Sequence, residues 1–160
     1  MNEAISNTSP LVYLHRIDAL DWLPRLFTSI WTPPEVVAEL REGLARGFNV
    51  PDPSRLDWLD IVAPKQTPSE WFALDLGPGE VAAMSLALEN PSRTVILDDS
   101  LARHVAQAAG LNVWGTLRVL LEMKAQGHVQ TVAPYVIRLK DSGMWISDEV
   151  SLRILRLADE

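Results

Sequence analysis

Thr94-Val95-Ile96-Leu97-Asp98-Asp99 is an almost wholly apolar run of four residues closed by two acids. A run without a polar face predicts a strand covered on both sides, as in a parallel sheet with helices above and below it. The end of the run matters as much as its middle. Ligands of open parallel sheets bind beyond the carboxyl ends of the strands, so Asp98 and Asp99 stand where function concentrates.

Outward from this strand, short apolar runs alternate with amphipathic helices. Towards the amino terminus, Ala4 to Ser6 reads as a first strand, followed by helices from Pro10 to Ile17 and from Trp22 to Phe27. Ser29 to Trp31 reads as a second strand and Leu59 to Val62 as a third. In TPPEVVAELREGLARG, Thr32 is placed to cap a helix, Pro33 to open it, Glu35 to complete a capping box and Gly47 to stop it. Thr67-Pro68-Ser69-Glu70 repeats the capping spacing, and Gly77-Pro78-Gly79 breaks the chain before the helix EVAAMSLALE. Beyond Asp99 follow a helix from Leu101 to Ala109, a short strand from Leu111 to Trp114, and helices starting near Thr116, Pro134 and Ser147. The alternation predicts a three-layer α/β domain with a mostly parallel central sheet flanked by helices.

The totals agree with one such domain over residues 1–160, since 160 residues is close to the ~150 of an average domain and 48% of them are apolar. No repeat, low-complexity tract or charge block marks a second unit. The absence of cysteine excludes disulfides, thiolate metal sites and cysteine nucleophiles, and suits a reducing compartment. No apolar run approaches the ~18 residues of a membrane span, and the amino terminus lacks the basic flank and apolar core of a secretion signal. The expected setting is cytoplasmic, without membrane attachment. A net charge of −7 repels a phosphate backbone, which argues against a protein that coats DNA and leaves room for a cation-dependent enzyme.

Several acids fall at strand ends and helix starts. The first strand ends at Asn7, the TVIL strand at Asp98 and Asp99, Glu80 opens the helix after Gly79, and Glu39 flanks the stripe Val36, Val37, Leu40 and Leu44. Singly, each has a plainer reading: Asp99 as a helix cap, Glu80 as a complement to the helix dipole, Glu39 as a solvated helix residue, Asn7 as part of a turn. Together they form a set of oxygen ligands suited to Mg²⁺ or Mn²⁺, and hence to phosphoryl-transfer chemistry.

The order of these pieces resembles the PIN-domain proteins, in particular a subgroup with (D)TSPL, P-x-x-V-x-x-E, GE-A-A and DD-x-x-A-R motifs. Here they read Asn7-Thr8-Ser9-Pro10-Leu11, Pro33 to Glu39, Gly79-Glu80-Val81-Ala82-Ala83, and Asp98-Asp99 with Ala102-Arg103, followed by Gly110 to Leu117. The resemblance spans essentially the whole chain. It implies a PIN-like fold and a Mg²⁺- or Mn²⁺-dependent ribonuclease, similar to the toxins of VapC-type toxin–antitoxin pairs, with RNA as substrate, a cognate antitoxin protein as partner and a homodimeric state. Carried onto this chain, Glu39, Glu80, Asp98 and Asp99 are the catalytic acids. Asn7, Glu39, Glu80 and Asp99 are the metal ligands, and Thr8 and Arg103 the substrate-binding residues. Arg103 and His104, one helical turn past Asp99, are placed to neutralise substrate phosphates.

Asn7 departs from the pattern, which has aspartate there. An amide oxygen still ligates Mg²⁺, but it carries no charge and accepts no proton. This favours an alternative reading, a catalytically weakened PIN-like module that binds RNA or a protein partner without cutting. A phosphoacceptor receiver domain ranks behind both, because it needs its acidic pair after the first strand, whereas here the pair comes late.

Overall fold

A computed structural model describes residues 2–160. Five parallel strands, β1 (Glu3–Ser6), β2 (Ser29–Thr32), β3 (Leu59–Ile61), β4 (Thr94–Ile96) and β5 (Val113–Trp114), form one sheet in the order β3-β2-β1-β4-β5. The chain adds strands in one direction from β1 to β3, then returns to pair β4 on the other side of β1. The order therefore reverses between β1 and β4, and the crevice beyond their carboxyl ends is the ligand-binding position of such sheets.

The pleat sorts the strand residues into two cores. Ala4, Ile30, Leu59 and Ile96 belong to one core, with helices α1 (Thr8–Arg16), α2 (Trp22–Leu26), α3 (Pro34–Ala45), α6 (Thr116–Ala125), α7 (Ala133–Asp141) and α8 (Asp148–Leu157). Ile5, Val95 and Leu97 point the other way, into a core with α4 (Pro78–Glu89), α5 (Ser100–Ala108) and Trp71 of a 3₁₀ turn (Ser69–Ala73). All three residues of β4 are buried, as its lack of a polar face requires. The same holds for α4, whose Val81 to Ala87 are all buried; a helix apolar on every side belongs in the interior.

At the amino-terminal edge of the sheet, the buried Arg93 guanidinium lies 3.3 Å from the Trp31 ring centre. It donates to the carbonyl of Ala4 and to Ser29 Oγ and faces Glu3 at 3.6 Å. Arg93 is thus a structural clamp at the edge opposite the acids.

Some expected boundaries shift for physical reasons. Thr32 does not cap α3: it is the last residue of β2, and its Oγ1 donates to the carbonyl of Ser6 at 2.9 Å. Pro33 takes the cap position and Pro34 opens the helix, so the first helical turn needs no donor there. Thr67 likewise caps nothing; it accepts from Ser85 Oγ, and the segment after it forms the 3₁₀ turn instead of an α-helix. Helix α1 begins at Thr8, two residues before Pro10, with Asn7 at the cap position but without a side-chain capping bond. Gly47 follows α3 with φ +77°, the left-handed stop expected of it.

Candidate active site

The end of β1 and the end of β4 are tied together, Asn7 N–H donating to the carbonyl of Ile96 at 3.2 Å. This places Asn7 beside Leu97, Asp98 and Asp99 at the reversal point. Asn7 is 2% exposed, and its Oδ1 is buried without a hydrogen-bond partner. A buried acceptor left without a donor costs roughly 1–3 kcal/mol, so its retention points to a ligand, with an oxygen-seeking cation as the chemical match.

Glu39 reaches the same edge from the middle of α3, which lies against α4. Thr8 Oγ1 donates to its Oε2 at 2.6 Å and the Gly79 N–H donates to its Oε1 at 3.0 Å. The carboxylate is therefore fixed between the first turns of two helices. A Cβ on residue 79 would come within 2.5 Å of Glu39 Oε2, so only glycine leaves room for it.

Glu80, half-buried in the first turn of α4, completes the group. Its carboxyl is pushed above the usual carboxylate range, first by burial and then by the nearby charges of Asp99, Glu39 and Asp75, against a lowering bond from the Gly77 backbone. The acidic neighbours thus add to burial in disfavouring the charge of Glu80.

Asp98 and Asp99, adjacent in sequence, diverge. Asp99 is exposed and caps α5, accepting from Ala102 N–H at 2.9 Å through Oδ1. Asp98 turns towards α6 and accepts from Thr116 N–H at 2.8 Å and Thr116 Oγ1 at 2.7 Å. Burial raises the Asp98 pKa, while the Thr116 bonds and the charge of Arg103 oppose the shift. Arg103 lies over Gly115, its guanidinium occupying the space a Cβ there would need. His104 is exposed, with Nδ1 3.1 Å from the carbonyl of Ser100.

The structure thus brings Asn7, Thr8, Glu39, Glu80 and Asp99 to one edge, and sets Asp98 beside Arg103 and Thr116. Among the described residues, no group of three or more His, Asp and Glu side chains closes tightly enough to hold a metal ion by itself. Mg²⁺ is usually taken by one or two carboxylates, with water and substrate phosphates completing its shell, so the all-oxygen donor set fits such an ion without a closed cage. Thr116, Gly79 and Gly115 stand in the sequence motifs, but the sequence assigns them no part in the site. Thr116 had a usable signal, since it starts the helix directly after β5, at the same edge as the acids.

A family model described as "DUF3368: PIN domain" matches residues 3–160. The chain belongs to the PIN domain family. Its fold is of the nuclease type. Among solved structures, it is similar to a PilT N-terminus domain protein from the hyperthermophilic archaeon Sulfolobus solfataricus. The two are 17% identical, the match covers 75% of this chain and 92% of that one, and the TM-score is 0.55, a likeness of fold. No curated protein matches the chain at a significant level. Among the described residues, no helix is long and apolar enough to cross a membrane.

Proposed function

We propose that this PIN domain protein is a divalent-cation-dependent ribonuclease, with Asn7, Glu39, Glu80 and Asp99 holding Mg²⁺ or Mn²⁺. PIN domains generally depend on divalent metals and commonly act on RNA. The observation that carries the reading is the buried, unpartnered Oδ1 of Asn7 at the strand-order reversal, at the edge where burial and acidic neighbours raise the proton affinity of Glu80. A bound cation there supplies a polarised phosphate and a water acidic enough to attack it. The chain's own part is to hold the acids. Thr8 and Gly79 fix Glu39, Ala102 N–H fixes Asp99, and Thr116 fixes Asp98 at the start of α6. We assign Arg103, whose charge acts on Asp98, and Thr8, bonded to Glu39, to the binding of a substrate phosphate.

The toxin role, a cognate antitoxin, a homodimer and a cytoplasmic setting complete the proposal, on the strength of the motif resemblance. A neighbouring reading frame encoding a small antitoxin-like protein supports that part, and its absence removes it. The second reading, a module that binds without cutting, is favoured by two observations: an amide at position 7, and acids that do not close on one point.

Melting the protein across a Mn²⁺ series, alongside cleavage of a mixed RNA pool, separates the two. A ribonuclease is stabilised by Mn²⁺, as any ligand of the folded state stabilises it, and cuts RNA only with the metal present. Stabilisation without cleavage supports the binding module. Neither effect removes the cation site.

A further inference from the structure

Gly115 stands between the end of β5 and the start of α6, in the helix-cap position. Its φ of −108° and ψ of 177° are extended backbone that any residue adopts, so conformation does not call for glycine there. Capping does not call for it either, since Asn, Asp and Ser serve that position at least as well. Space does. The Arg103 guanidinium fills the room a Cβ would need, and that Cβ would also stand 3.3 Å from Asp98 Oδ1 and 3.4 Å from the carbonyl oxygen of Leu97. Of these neighbours, the Leu97 backbone and the Asp98 carboxyl, bonded twice to Thr116, are fixed in place. Arg103 is the far end of a flexible side chain, so an alanine at 115 displaces the arginine before anything else.

Arg103 also stands apart from the other arginines. Most of them face carboxylates, and Arg16 donates to two backbone carbonyls. Arg41, Arg153 and Arg156 lack such partners but are exposed, where water serves them. Arg103 is half-buried, and among the described residues no hydrogen bond or ion pair engages its guanidinium. Asp98, the carboxyl on which its charge acts, spends both oxygens on Thr116. A guanidinium carries five donors and keeps its charge at every working pH, so holding one partly desolvated and unpartnered is costly. An anion arriving from solvent offsets that cost.

We propose that Gly115 is a positioning residue: its missing side chain seats the Arg103 guanidinium as a preformed fork for one phosphodiester of the RNA, next to the cation site. The seat lies one helical turn from Asp99, whose carbonyl accepts from Arg103 N–H at 3.0 Å. A planar guanidinium matches two phosphate oxygens at once, a geometry a mobile side chain would have to find at each encounter. The need is acute in a chain of net charge −7, whose approach to an RNA backbone depends on local cations. The inference rests on the ribonuclease reading and goes beyond it in making glycine at 115 a requirement of RNA binding.

The test reads binding apart from cleavage. A fluorescein-labelled single-stranded RNA is titrated into the full-length protein in EDTA, from low KCl upwards. Native protein, Gly115→Ala, Arg103→Gln and the double variant are compared after melting curves have shown each folded. Gly115→Ser, whose hydroxyl suits the cap position, replaces Gly115→Ala if the latter does not fold. Gly115→Ala and Arg103→Gln should each weaken binding about tenfold, the loss of one charge-assisted phosphate contact. Each should also flatten the dependence of log Kd on log salt by about 0.7, the share of one phosphate on a single strand. Because Gly115 acts through Arg103, the double variant should bind no more weakly than Arg103→Gln alone. No binding by the native protein, an unchanged slope in Arg103→Gln, or full affinity in Gly115→Ala overturns the proposal. So do additive losses in the double variant, which reduce Gly115 to a structural residue. The coupled loss of binding in a protein that cuts no RNA with Mg²⁺ or Mn²⁺ keeps the seat and ends the ribonuclease reading; metal-dependent cleavage with an unchanged KM in Gly115→Ala does the reverse.

Discussion

Gly79 lies so close to Glu39 that a Cβ at position 79 would stand 2.5 Å from Oε2, while its N–H donates to Oε1 at 3.0 Å. The backbone at the start of α4 thus serves as a mould for a carboxylate carried by α3. Any side chain at 79 must push Glu39 away or open the contact between the two helices.

Gly79→Ala should therefore cost stability and displace Glu39 together. The atoms a Cβ would meet are the far end of the Glu39 side chain, which can yield, so the cost is chiefly that of the lost bonds to the carboxylate, about 1–3 kcal/mol. The expected outcome is a lower melting temperature and a weaker Mn²⁺-induced rise in melting than in the native protein. Thermal melting with and without Mn²⁺ reads both effects at once. Full metal response in a destabilised variant would show that the position of Glu39 does not matter to the cation.

Asp99 has two separable roles. It caps α5 through Ala102 N–H, and it adds its charge to Glu80. Asparagine caps helices about as well as aspartate, so Asp99→Asn should melt near the native temperature while losing metal-dependent RNA cleavage. Asp99→Ala should lose the cleavage and, in addition, about 1 kcal/mol of stability. Denaturant unfolding of both variants, set beside their cleavage rates, checks the split. Full cleavage by Asp99→Asn removes Asp99 from the site.

Glu80 supplies a pH signature. Its pKa is raised above the ordinary 4.5 by burial and by neighbouring acids, so the fold binds its proton more tightly than the unfolded chain does. A raised carboxyl contributes stability that is present below the unfolded value and lost as pH rises through the folded one. At neutral pH without metal, Glu80→Gln should therefore be more stable than the native protein. The gap should close as pH falls through the folded pKa to below 4.5. Added Mn²⁺ should reverse the order at neutral pH, because the charge then has a partner. Melting temperatures over pH in EDTA and in Mn²⁺ measure this directly; a gap that is constant with pH would mean that Glu80 is not under strain from its neighbours.

The parts of this fold that were legible in sequence are those in which burial dictates composition. β4 has no polar face because helices cover both of its sides, and its acids follow because the sheet's carboxyl edge opens to solvent. What stayed hidden depends on register and on distant partners. Thr32 reads as a cap in local sequence, yet its hydroxyl finds a nearer acceptor in Ser6, 26 residues away, once β2 lies beside β1. Asp98 and Asp99 look equivalent until α6 brings Thr116 to one of them. Glu39 looks like a helix-flank residue because Thr8 and Gly79, which hold it, lie 31 and 40 positions away. The vacant acceptor of Asn7 is likewise a property of packing, since nothing in AISNTSPL says that its side chain is enclosed.

The central claim is that residue 7 is a cation-ligand position with its charge removed. Asn7→Asp is nearly isosteric and restores that charge next to Glu39, Glu80 and Asp99. Without metal the added carboxylate crowds an acidic cluster and should lower the melting temperature. With metal, its attraction at contact distance in a partly desolvated site should more than offset the cost. The most direct measurement is melting and RNA cleavage of the native and Asn7→Asp proteins across one series of Mg²⁺ and Mn²⁺ concentrations. The account predicts that Asn7→Asp melts lower in EDTA, reaches half-maximal stabilisation and cleavage at lower metal concentration, and cuts faster. Coincident curves for the two proteins would contradict it and leave Asn7 as a buried turn residue with no part in binding a cation.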